Sequence, residues 1–171
     1  MSLISRLLGR PDPRAAVRPL WHRVVEIARE PSWYNHGGIA DTLAGRFDAI
    51  TLVLALVMLR MEREPRLIAS SVRLTELFVA DMDGQMRESG VGDLMVGKHM
   101  GRQMSVLGGR LGAFRAGLEA DDNAALEAAV SRNVSLNEGM NPVAVAAEIR
   151  MLAAQLAALS DDALLAGEIG R

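Results

Sequence analysis

Cysteine is absent from the 171 residues, which removes disulfides, thiolate zinc sites and cysteine nucleophiles together. Aromatic residues make up only 4%, too few for a platform that stacks single-stranded nucleic acid, and nothing points to specific DNA binding. Lysine occurs once, all other basic side chains being arginine. Long apolar runs are lacking as well. The longest, Ala49 to Leu59, has 11 residues against the roughly 20 that span a bilayer. No secretory signal is evident: Leu3, Ile4, Leu7 and Leu8 lie beside Arg6 and Arg10, and Pro11 and Pro13 close the stretch. Residues 1–12 therefore read as a flexible N-terminal segment, or as a short interfacial anchor with peripheral membrane contact.

What is present describes a folded chain. Half of the residues are hydrophobic and 23% are charged, unlike disordered or low-complexity chains. The length suits one domain with its own core. The net charge of −2 conceals an asymmetry, because residues 1–117 carry 16 basic and 12 acidic side chains, whereas residues 118–171 carry 3 and 9. Such a division suits two differently solvated surfaces, or a basic face for phosphates, lipid headgroups or an acidic partner.

Nearly every segment reads as helix, and no strand alternation is convincing. The breakers predict helices over about 13–29, 41–62, 66–88, 93–118, 121–134 and 142–159, with Asp161-Asp162 capping a last turn or two. Ala49 to Leu59 is apolar on all sides except Thr51, which predicts a central helix. The third helix places Leu67, Val72, Leu77, Phe78, Met82 and Met86 on a buried stripe. The fourth carries an apolar stripe through Met100, Met104, Leu107, Leu111, Phe114 and Leu118. Beside it runs a second stripe of small residues, Gly97, Gly101, Ser105, Gly108 and Gly112. Each interior glycine costs about 1 kcal/mol relative to alanine, so close approach by another helix is expected, from within the chain or from a partner. The predicted fold is an all-α single-domain bundle of about six helices. It comprises a core over 13–118 and a peripheral, acidic, alanine-rich extension over 119–171.

Catalytic motifs are missing. Gly90-x-Gly92 lacks the third glycine of a dinucleotide loop, and there is no phosphate-loop lysine or nucleophile elbow. His22 and Glu26 stand four apart and could share a metal, but no third ligand accompanies them. Asp81 and Asp83 point to different faces of a helix, and Asp121-Asp122 sit at a helix start. No metal, cofactor or enzyme activity is expected.

Three spaced blocks carry a resemblance. Asp41-Thr42-Leu43-Ala44-Gly45-Arg46-Phe47-Asp48 follows Trp33-Tyr34 and a glycine loop. Then comes Phe78-x-x-Asp81-Met82-Asp83-x-x-x-Arg87-Glu88-x-Gly90-x-Gly92-Asp93-x-x-Val96-x-Lys98-x-Met100, and Gly109-Arg110-x-x-Ala113-Phe114 completes the set. Over about residues 20–118 this order resembles the ubiquinol–cytochrome c chaperone family, assembly factors of the cytochrome bc1 complex, though Phe114 stands where Tyr is more usual. The resemblance implies an all-helical binding protein without catalytic activity, in the compact bacterial form. Its client would be newly made cytochrome b, met at the cytoplasmic face of the membrane, with a small partner subunit or the ribosome as further partners. A magnesium-dependent enzyme acting on an isoprenoid diphosphate, and a helical adaptor with an unrelated partner, are the alternatives.

Antiparallel packing of the second and third helices, with the Gly90–Gly92 turn keeping the start of the fourth beside them, would bring these residues to one shared surface. Trp33, Tyr34, Asp41 and Arg46 belong to the start of the second helix, Asp83 and Arg87 to the end of the third, and Asp93 and Lys98 to the start of the fourth. Arg110, far along its helix, is the outlying member. The charges among them either fix the angle between two helices or rim a groove whose methionines repack around apolar client segments.

Overall fold

The computed structural model describes residues 12–88 and 93–170, the side chains of 93–96 excepted. The N-terminal segment, the Gly90–Gly92 turn and the side chain of Asp93 thus lie outside the described residues. A 3₁₀ turn (Ala15–Val17) leads into α1 (Arg18–Ala28), and a π-turn (Ser32–His36) precedes α2 (Leu43–Glu62). A second 3₁₀ turn (Pro65–Leu67) opens α3 (Ile68–Glu88), followed by α4 (Asp93–Glu119), α5 (Ala124–Asn133), α6 (Val143–Ala158) and α7 (Asp161–Leu165). No strand occurs among the described residues, only an isolated bridge between Ile39 and Leu136.

Helix α2 is the axis of the molecule. Thr42 caps it, its Oγ1 accepting from the Gly45 amide at 3.1 Å, which satisfies a donor that the first turn leaves free. From Ala49 to Val57 every side chain but Ile50 is buried, as expected of a helix apolar on all sides. Helices α1, α3, α4 and α6 surround it. Thr51, the polar exception, is fully buried and donates to the Phe47 carbonyl at 2.8 Å.

Two expectations about the helix faces need correction. Val72 is 54% exposed and Leu74 is buried in its place. At 3.6 residues per turn, position 72 points about 140° away from Leu67, whereas 74 and 78 stay within about 20° of it. The glycines of the α4 small-residue stripe have no close neighbour among the described residues, because a Cβ built at Gly97, Gly101, Gly108 or Gly112 meets nothing within 4 Å. Only Gly117, one turn beyond the stripe, is crowded: its Cβ would lie 2.8 Å from the Leu126 Cα of α5.

The region after residue 118 is peripheral in charge but not in packing. Asp121, Asp122, Glu138 and Glu168 face solvent, while Leu126, Val130, Val145, Ile149, Leu152 and Leu156 join the same core as α2. Arginines tie it down. Arg150 Nη2 donates to the carbonyls of Gly117, Ala120 and Asp122, closing the end of α4. Arg23 donates twice to the Ile169 carbonyl. Asp161 does not cap α7; Ser160 does, through the Ala163 amide at 3.2 Å. Instead Asp161 is buried and accepts from Arg60 Nη2 at 2.7 Å and from Arg66 Nε.

Candidate functional site

The start of α2, the end of α3 and Gln103 of α4 converge on a groove of about 1190 Å³ beside the π-turn. Its apolar surface comes from Phe47 and Ile50 of α2 and from Met82 and Met86 of α3. Leu43, at the first position of α2, lies in its lining and is 85% exposed. Nothing among the described residues covers this apolar side chain. The polar lining is mixed in sign, with Arg29, Asp41, Arg46 and Glu88. The volume exceeds the 300–1,000 Å³ typical of small-molecule pockets, and an open trough lined by methionines and aliphatics suits the apolar face of a helix.

Four of the nine residues proposed from sequence sit at this end of the molecule with described side chains at or beside the groove. Tyr34 forms part of its wall, its hydroxyl donating to the Ala28 carbonyl at 2.7 Å. Burial pushes the phenol above its ordinary pKa; the Asp41 carboxylate adds to the shift, and Arg46 and Arg29 oppose it. Asp41 and Arg46 pair at 2.6 Å in the open, and that hydrogen bond holds the Asp41 carboxyl below the usual carboxylate range. Trp33 is behind the wall rather than on it: the indole is fully buried and donates to the Ile27 carbonyl at 2.9 Å. That bond ties the π-turn to the end of α1 and so positions Tyr34.

Asp83, Arg87, Lys98 and Arg110 are placed elsewhere. Asp83 and Arg87 pair at 2.8 Å on successive turns of α3, and neither lines the groove. Lys98 is exposed on α4, also outside the lining. Arg110 is only 5% exposed and lies at the junction of α2, α4 and α5. It donates to Asp48, to Thr51 Oγ1 and, at 2.6 Å, to the Asn133 carbonyl, and its guanidinium carbon lies 5.7 Å from the Phe47 ring centre. The second Asp48 oxygen accepts from the Ser135 amide at 2.8 Å. Arg110 therefore braces the fold from the far side of Phe47.

Several groove residues were not singled out from the sequence for this surface, Leu43, Phe47 and Ile50 foremost. A usable signal existed at Leu43: an apolar residue immediately after a helix cap, where acidic or small residues are the rule.

Comparison with known proteins agrees with this architecture. The sequence profile of the family described as ubiquinol–cytochrome C chaperone matches residues 35–171. The match extends through the C-terminal region that the sequence motifs left aside. No curated protein matches the sequence. Among solved structures, that of the Cbp3 homologue from Brucella abortus superimposes with a TM-score of 0.79 at 33% identity, covering 98% of this chain and 95% of that one. With the all-helical core, the open groove and a family match over four-fifths of its length, the chain belongs to the ubiquinol–cytochrome c chaperone family.

Proposed function

We propose that the chain is an assembly chaperone of the cytochrome bc1 complex that holds an apolar segment of newly made cytochrome b in the groove between α2 and α3. The observation that carries this reading is Leu43, 85% exposed at the edge of a methionine-lined trough. A chaperone for a membrane protein must cover apolar client surface without itself being a membrane span, and no helix among the described residues is long and apolar enough to cross a bilayer. Methionine side chains adapt to differently shaped clients, and the Asp41–Arg46 pair offers both charges to the polar ends of a client helix. Binding at the cytoplasmic membrane face, with no catalytic step, follows from the same reading.

The test is genetic and spectroscopic. In a strain lacking the chain, cytochrome b levels should fall, and the parent protein should restore them. Leu43→Glu should restore them poorly although it folds normally, because an acidic residue at the first position of a helix is favoured by the helix dipole. Unchanged cytochrome b in the deletion strain would contradict the proposed function. Full rescue by Leu43→Glu would leave the family role standing and remove the groove.

A further inference from the structure

We infer that residues 1–11 fold back over the outer face of α3 as an amphipathic strap, its leucine and isoleucine side chains covering Ile68 and Val72 and an arginine meeting Glu76. This surface is separate from the groove and does not depend on the proposed function. On α3, Ile68 and Val72 stand one turn apart and are 58% and 54% exposed. Glu76 follows one turn later, exposed, with no ion pair or hydrogen bond among the described residues. The row of two apolar side chains and an acid spans about 12 Å at 1.5 Å per residue. Arg73, the nearest like charge in sequence, is half-buried and turned about 100° from Val72.

An exposed apolar pair alone does not name its cover. Place, pattern and charge together select residues 1–11. The described chain begins at Asp12, whose carboxylate accepts from the Arg14 amide at 2.9 Å and from Arg18 Nη2 at 3.0 Å. The 3₁₀ turn that follows packs against α3. Arg14 lies close enough to Glu76 that, after the hydrogen bond to Asp12, the Glu76 charge also raises its pKa. Residues 1–11 therefore leave the fold beside the row they would cover. Within them Leu3, Ile4, Leu7 and Leu8 recur at i, i+1, i+4 and i+5, which is one face of a helix. From residue 3 to residue 10 that helix would be about 10 Å long, close to the length of the row. Pro11 and Pro13 separate it from α1, and proline interrupts a helix, so the strap can turn back. The segment carries Arg6 and Arg10 and no acidic residue, a charge complementary to that of Glu76.

Because the chain lacks cysteine, Ser5→Cys places a nitroxide at a single site of the full ¹⁵N-labelled protein. In lipid-free buffer the amide signals of residues 68–76 should lose most of their intensity, while those of α5 keep theirs. Val72→Glu and, separately, Leu7→Glu should restore the signals of residues 68–76, and Glu76→Lys should restore them in part. Val72 is exposed and glutamate is the better helix former, so the fold survives the first of these changes. Nitroxide-bearing unlabelled chain mixed with ¹⁵N-labelled chain that lacks the nitroxide should broaden nothing. Broadening in that mixture would replace the strap by a second copy and overturn the inference. Broadening centred on Leu43 and Met86 would overturn it by placing the segment in the groove. No selective broadening, the outcome for a free terminus or a membrane anchor, would overturn it as well, as would parent-like broadening in Val72→Glu. Failure of the strap leaves the cytochrome b test of the groove untouched, since neither Leu43 nor the groove methionines take part.

Discussion

Two Asp–Arg pairs, Asp41–Arg46 and Asp48–Arg110, bracket the first turns of α2 and behave as opposites. The first lies in the open, at 62% and 64% side-chain exposure, where water and salt screen it and a pair contributes little to folding. The second is at 10% and 6%, where removing one partner strands the other. The contrast separates the molecule into two regions. At the groove end, side chains are held by local bonds, and apolar surface is left uncovered among the described residues. At the α4–α5 junction and along the C-terminal region, arginines bind backbone carbonyls and buried carboxylates. The proposed binding surface and the bracing are thus kept apart, although both draw on the same residue types.

The largest expected effect breaks the bracing side. Asp48→Ala leaves Arg110 unpaired and the Ser135 amide without its acceptor, and should cost about 3–5 kcal/mol. Urea unfolding would show it as a lower midpoint at unchanged slope. A loss as small as that of an exposed pair would erase the distinction between the two regions. Next come the glycines of α4. Gly117→Ala forces a methyl into the Leu126 backbone and should cost about 1–3 kcal/mol, whereas Gly112→Ala meets nothing and should add about 1 kcal/mol. Equal effects from the two would contradict the packing of α5 against the end of α4.

A smaller effect concerns acid. Burial alone would raise the pKa of Asp161, but the hydrogen bonds from Arg60 and Arg66 outweigh it and hold the carboxyl below its ordinary value. A carboxyl depressed in the folded state contributes stability above the unfolded pKa of about 3.9, and loses it as pH falls through the folded value. Asp161→Asn should therefore lower the urea midpoint at neutral pH and flatten its decline below about pH 4. An unchanged acid decline would mean that the C-terminal turn is not held by this carboxylate. Smallest of all, Arg46→Glu should leave the melting temperature where it was, since the Asp41 pair is solvated. A clear fall would move this pair to the bracing side.

The helical architecture was legible because breakers and caps are local. Pro65, Pro142 and the threonine cap before Leu43 set helix ends within a residue or two. The meeting of the α2 start with the α3 end was legible too, from antiparallel packing. Arg110 was not, although the signs were there. It falls three residues after Leu107 and four before Phe114, on the apolar face itself, while Thr51 interrupts the apolar run of α2 and Asp48 precedes it. Arginine is ordinarily a surface residue, and only the fold shows that these three anomalies answer one another. The place of residues 119–171 was hidden for a related reason. Composition reports the acidic outer face, whereas alternation of Leu126, Val130, Ile149 and Leu152 with alanine reports the core. The alanines blur that second signal.

The most direct test of the separation is a photocrosslinker carried at position 43 of the chain while cytochrome b is being made. The groove reading predicts crosslinks to cytochrome b from position 43 and none from position 108 on the glycine face of α4. Crosslinks to cytochrome b from position 108, with none from 43, would contradict it.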